Sequence, residues 1–348
     1  MFAWGANSHA QLGLGYVSEQ CDKPQPLTGL VPFRGADEIG SVAAGGGHTL
    51  IGTTDGRLYA AGWNNRGQLG TGHLNDCVHF QPVGEYGFRQ LFAGWDVSAG
   101  INADGDLFVW GSNVWQQLAE LGVKHVPTPT RLILPEQGRV AKVAFGLQYM
   151  AVLMESGKVW VLGKCKFLAN DYPLEPATKL TIRCISDKAP VRDVVSGDNR
   201  LVMLIGARRI NCLGDEKHGQ CLEEQTLPED VIKLESGWTH SGCLTTNGTV
   251  YLWGRNNYGQ LGMPGEHFSM HPQKLRLETG DMVVQDVSLG SQHGAALTKD
   301  GRVICWGWNE HGNCGTGGTE NVWFPTVIDL PQTVSKVVCG AGFTMAFT

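Results

Sequence analysis

Three histidines stand at one place in a recurring phrase: His48, His240 and His293 each follow a turn glycine by three residues. Imidazoles can shuttle protons or ligate metals. These three belong to different copies of the phrase, so a ring of copies would separate at least some of them widely. The expected role is a structural hydrogen bond across the repeating unit. His73, Cys77 and His79 share one loop, and His267 and His271 share another. Neither spacing fits a closed four-ligand zinc set, so no metal is expected. The glycine-rich stretch from Gly312 to Gly318 lacks a following Gly-Lys-Ser/Thr and reads as turns rather than a phosphate cradle. No Ser-His-Asp or Cys-His arrangement can be assigned. The ten cysteines contain no CxxC pair, and Cys212, Cys243 and Cys305 sit in apolar runs, where a free thiol serves as a small hydrophobe. Covalent catalysis and cofactors are therefore not expected, and the chemistry left to the chain is recognition.

The elements that must position recognition residues are legible from a repeat. A short apolar run ending in Trp-Gly, or a relaxed form of it, recurs with its glycines at 5, 62, 111, 163, 214, 254 and 307. It alternates with a small-residue turn built on Gly45, Gly94, Gly146, Gly197, Gly237, Gly290 and Gly340. The period is near 50 residues, the mark of an architecture whose units cannot bury their apolar faces alone. Between the two signals lie hairpin dipeptides such as Asp55-Gly56, Asp104-Gly105, Asn247-Gly248 and Asp300-Gly301. No long 3.6-residue apolar period occurs. The expectation is an all-β chain, residues 1–348 forming a single seven-bladed β-propeller. The chain begins within a unit, at Phe2-Ala3-Trp4-Gly5, and stops before the strand its last unit needs. The N-terminal strand should therefore pair into the C-terminal blade and close the ring, removing free sheet edges.

Composition narrows the partners. There are 27 basic and 33 acidic residues, for a formal net charge of −6. That balance argues against non-specific nucleic-acid binding, which needs a basic surface. No run of 18 apolar residues is present, so no membrane insertion is expected. With no signal peptide ahead of Phe2 and no disulfide-like cysteine pattern, the expectation is a reduced, soluble, intracellular monomer, cytoplasmic with the nucleus as a second location.

The loops after Trp-Gly carry a family resemblance. Residues 4–15 read Trp-Gly-Ala-Asn-Ser-His-Ala-Gln-Leu-Gly-Leu-Gly, and residues 62–72 read Gly-Trp-Asn-Asn-Arg-Gly-Gln-Leu-Gly-Thr-Gly. This is similar to the repeat of the regulator of chromosome condensation family, across the whole chain. WD-type blades are shorter and end in Trp-Asp, and kelch-type blades carry a Gly-Gly doublet per unit; neither pattern fits. Within the family, residues 306–315, Glu320 to Trp323, the opening Phe2 to Ser8 and residues 236–240 most resemble its secretion-regulating exchange-factor branch. The chain lacks the charged C-terminal extension expected of vertebrate members of that branch. Units three to five depart from the pattern, with Trp115-Gln116-Gln117-Leu118-Ala119 in place of Gly-Gln-Leu-Gly and no recognisable loop after Gly163.

The resemblance implies a seven-bladed propeller that binds a small GTPase, or a secretory or vesicle-tethering protein, with guanine nucleotide exchange as its activity. The alternative is an interaction scaffold without exchange. In the family prototype, acidic residues on one face and an inserted β-wedge loosen the nucleotide. Asp96 and Asp198 resemble those acidic residues, against the plainer reading of aspartates closing tight turns. No inter-unit gap is long enough to mark a wedge. Trp308, Asn309, Glu310 and His311, with Asn321 and Trp323, form a candidate partner surface, because Trp308 and Trp323 fall in loop-like sequence and exposed aromatics anchor interfaces. Trp238, in Gly237-Trp238-Thr239-His240, joins them.

Overall fold

The computed structural model describes residues 1–27, 38–119, 121–168, 182–185, 189–214, 217, 219, 221, 224–277 and 282–348. Among these, 28 strands form seven four-stranded antiparallel sheets. The sheets are the expected blades. Blade two, for example, runs outward from the axis as β3 (Ile39–Ala44), β4 (His48–Thr53), β5 (Arg57–Gly62) and β6 (Cys77–Glu85). Blades three to seven repeat this order over 88–132, 140–185, 191–226, 231–274 and 284–328.

Blade one is assembled from both ends of the chain. β1 (Phe2–Asn7) pairs with β28 (Phe343–Phe347), Phe2 opposite Ala346 and Gly5 opposite Phe343. β2 (Ser18–Pro26) lies outside β1, and β27 (Lys336–Cys339) lies on the axis. The expected ring closure is present. The terminal ammonium of Met1 also donates to Thr348 Oγ1 at 3.0 Å, tying the two ends.

The strand patterns follow from where each strand sits. The second strand of a blade is covered on both faces by its neighbours, so it reads as a continuous buried run. Tyr149-Met150-Ala151-Val152-Leu153-Met154 is buried at all six positions. The outermost strands face solvent and bury isolated residues, such as Cys77 and Phe80 of β6. Core clusters span adjacent blades: Leu50, Leu91, Val109 and Val143 belong to one cluster that crosses blades two, three and four. Neither face of a blade is complete without its neighbours, the energetic basis of the closed ring.

The innermost strands are the sheet edges nearest the axis, and side chains from adjacent blades occupy them. Ser41 Oγ accepts the Leu91 N–H at 2.9 Å, Asp193 Oδ2 accepts that of Leu234 at 3.0 Å, and Ser288 Oγ accepts that of Cys339 at 3.0 Å. Lys142 pairs with Asp193 at 2.6 Å and Lys233 with Asp286 at 2.7 Å, each from one blade to the next. The expectation of free cysteines needs one correction. Cys212, on the third strand of blade five, is joined to Cys221 with Cα atoms 5.2 Å apart. Cys21, Cys77, Cys165, Cys243, Cys305, Cys314 and Cys339 carry free thiols.

Candidate functional site

The Trp-Gly loop is a platform built by its own side chains. The Asn two residues after the glycine folds the loop around itself. Asn64 Oδ1 accepts the Leu69 N–H at 2.9 Å while its Nδ2 donates to the carbonyls of His73 and Asn75. Asn7, Asn113, Asn256 and Asn309 accept the N–H five residues on in the same way. The Gln of Gly-Gln-Leu-Gly then accepts the N–H two residues before it, as in Gln68 to Arg66 at 2.9 Å. The Trp of the next blade staples this loop from below. Trp110 Nε1 donates to Gln68 O at 2.9 Å, Trp306 to Gln260 O at 3.0 Å, and Trp4 to Asn313 O at 2.9 Å. The glycine after Trp is required at this joint. Gly307 has φ +103°, and a Cβ there would lie 2.7 Å from Gln292 O and 2.8 Å from His293 Cα.

The second signal builds the axial mouth. All seven turn glycines, from Gly45 to Gly340, line one chamber of about 130 Å³ on the axis. Backbone bonds relay round it: Leu147 N to Asp198 O, Asp198 N to Trp238 O, Trp238 N to Ser291 O, Ser291 N to Ala341 O, and Ala341 N to Gly45 O. At four of the seven units the residue three after the glycine hydrogen-bonds to the next blade. His48 Nε2 lies 2.9 Å from Ser98 Oγ, and His293 Nε2 lies 3.1 Å from Thr344 Oγ1. The bonds of His48 and His293 thus run between blades rather than within one, while both ring nitrogens of His240 are buried without an acceptor or donor. Tyr149 and Arg200 fill the same position. Tyr149 Oη donates to Arg200 O at 2.6 Å, and the buried Arg200 guanidinium donates to the carbonyls of Gly237, Trp238 and His240. Burial holds the imidazoles well below their ordinary pKa, at about 3 for His48 and His240 and about 4 for His293. They are neutral fixtures, not proton relays.

Around this mouth the turns and loops form one face. Trp95 of blade three and Trp238 of blade six meet across the axis with centroids 5.0 Å apart. Beside them an open groove of about 540 Å³ runs over blades six, seven, one and two. Its walls are Trp63 stacked on His9 at 4.9 Å, Trp308 edge-on to His311 at 5.3 Å, and Tyr258 under the Arg255 guanidinium at 5.6 Å.

The candidate residues separate on this face. Trp238, Trp308, Glu310 and His311 all line the groove, although Trp308 and Trp238 come from different blades. Asn309 is fully buried and spent on its loop, donating to Gly318 O and Glu320 O, so its side chain has no exposed surface to offer. Asn321 accepts the Asn309 N–H at 3.3 Å. Trp323 lies not in a loop but on the outer strand Val322–Ile328, half-exposed against Gly259 and outside the groove. The two aspartates occupy different steps of their turns. Asp198 directly follows its glycine and lines the axial chamber, exposed. Asp96 is one step further on and half-buried. Burial raises its carboxyl pKa, against a Ser112 hydrogen bond and the Arg66 charge. Trp95, Trp63, His9, Tyr258 and Arg255 were not singled out from sequence. Trp95 and Trp238 share one signal, a Trp directly after a turn glycine, which would have paired them. Among the described residues no three His, Cys, Asp or Glu side chains cluster as a metal site.

The chain is similar to known proteins in sequence and fold. The model of the RCC1-like domain family matches residues 1–346. The secretion-regulating guanine nucleotide exchange factor of Mus musculus is 33% identical over 99% of this chain and 83% of its own length, and that of Bos taurus is 30% identical. The crystal structure of Prp20p from Saccharomyces cerevisiae, described together with its binding to Gsp1p and histones, superposes with a TM-score of 0.87. It covers 99% of this chain and 90% of its own at 22% identity, a likeness of fold.

Proposed function

The chain belongs to the RCC1-like domain family, and on that premise we propose that it is a regulator that docks a small GTPase on its turn face and promotes GDP release. The observation that carries this reading is the convergence on one face of the aromatic groove, the axial Trp95–Trp238 pair and the exposed carboxylate of Asp198. A rigid platform of this kind needs no nucleophile. Exchange requires tighter binding to the nucleotide-free GTPase than to the GDP-bound form, so that GDP is lost by differential affinity. Whole-chain similarity to two proteins named as secretion-regulating exchange factors supports a GTPase as partner, with secretory or vesicle-tethering machinery as its setting. The reading places the protein in the cytoplasm, with the nucleus as a second location. No described helix is long and apolar enough to cross a membrane.

One observation favours a second reading, a scaffold without exchange. Every described strand belongs to a blade, so the described residues hold no inserted β-wedge. Release of labelled GDP from purified GTPases separates the two. Acceleration supports exchange, and binding without acceleration supports the scaffold.

A further inference from the structure

The groove carries two formal charges, Arg255 and Glu310, and they are not equivalent. The Glu310 carboxylate is engaged, accepting Trp308 Nε1–H at 3.2 Å. Arg255 has no such partner. Among the described residues no ion pair joins it to a carboxylate, and its Nε is shielded from solvent without an acceptor. The Asn257 amide oxygen, in the orientation its neighbours require, takes one Nη2 hydrogen at 3.1 Å, and the Tyr258 ring holds the guanidinium plane. The side chain is thus fixed in place with donors left over. A guanidinium fork so held matches a carboxylate in two-point geometry.

The position also has a sequence meaning. Arg255 directly follows Gly254, where the corresponding residues are Ala6, Trp63 and Trp308 in the other blades that line the groove. Three blades offer apolar surface there and one offers a cation. We propose that the groove receives an extended acidic segment of the protein partner, with a carboxylate seated on Arg255 and an adjacent apolar side chain against Trp308 and Trp238. This rests on the reading above that a protein docks on the turn face, and it names what that protein presents. Long-range attraction is not the cause, since the chain is itself net acidic at −6. An acidic probe must find the local cation.

The test uses the full chain and three labelled pentapeptides, Gly-Glu-Phe-Glu-Gly, its Gln counterpart and its Lys counterpart, read by fluorescence anisotropy. The expected result is binding of the Glu peptide, weakened at least tenfold in the Gln peptide and in Arg255→Gln, with partial recovery in Arg255→Lys and loss in Trp308→Ala. Circular dichroism establishes that each variant is folded. Failure of the Glu peptide to bind, equal binding to Arg255→Gln, or preference for the Lys peptide overturns the proposal. A parallel arm measures a panel of small GTPases on wild type and Arg255→Gln. A GTPase that binds both equally leaves the docking reading standing and removes this one. Arg255-dependent peptide binding with no GTPase bound keeps this inference and removes the GTPase.

Discussion

Trp95 and Trp238 sit on blades three and six, on opposite sides of the ring, yet their ring centroids are 5.0 Å apart with the planes at 50°. Each follows a turn glycine directly, and each is partly exposed, at 37% and 40%. The pair spans the axial chamber, so the two sides of the ring share one continuous surface.

Removing either ring should therefore cost binding more than folding. Trp238→Ala is expected to weaken the partner complex at least tenfold, as for an aromatic anchor, while changing unfolding free energy by about 1 kcal/mol or less. Titration of the partner and a urea melt of the same sample check both halves. A loss of several kcal/mol in the melt would show the pair to be structural instead.

The Trp staples predict a graded series. Trp110→Phe removes a bond to Gln68 O and should cost about 1 kcal/mol beyond the packing change. Trp253→Phe should cost less, because the Trp253 Nε1 has no acceptor among the described residues. Equal destabilisation of the two variants in urea melts would contradict the staple.

Backbone geometry predicts a sharper contrast. Gly307→Ala places a Cβ against His293 Cα at φ +103°, and about 3 kcal/mol or more should be lost. Gly318→Ala meets nothing within 4 Å and should be within about 0.5 kcal/mol of wild type. Chemical denaturation of the two variants gives the comparison.

Acid stability follows from the three buried imidazoles. His48, His240 and His293 have native pKa values of about 3, 3 and 4, below the unfolded value near 6.5, because burial disfavours the imidazolium. The unfolded chain then binds the extra protons. Their contribution is complete above pH 6.5 and is lost as pH falls toward 4, by about 1.4 kcal/mol per pH unit for each histidine. Urea midpoints between pH 7 and 4 should decline with a slope that His240→Gln reduces. A slope unchanged by that substitution would remove the imidazole from the account.

The blades and their closure were legible because Trp-Gly and the turn glycine each perform a backbone task that few residues can do. Gly307 abuts His293 Cα, and Phe2 to Gly5 must pair with something. The site was only partly legible. Asn309 has an exposed-looking neighbourhood in sequence, yet its counterparts Asn7, Asn64, Asn113 and Asn256 signal a loop clamp rather than a contact. Trp323 lies on an edge strand whose alternation is broken by Pro325 and so reads as a loop. The meeting of Trp95 and Trp238 depends on the diameter of the closed ring, which no local window contains. Arg200 replaces histidine as a latch, and its contacts with three carbonyls of the Trp238 turn become visible once blades five and six are adjacent.

If the turn face drives exchange, a GTPase docked on it loses GDP faster. The direct measurement is release of fluorescent GDP from a panel of purified small GTPases, with and without stoichiometric protein, with EDTA setting the maximal rate. The account predicts acceleration for at least one GTPase, reduced at least tenfold by Trp238→Ala and by Asp198→Ala, with both variants folded. Release unchanged across the panel, or acceleration that both variants retain in full, would contradict it.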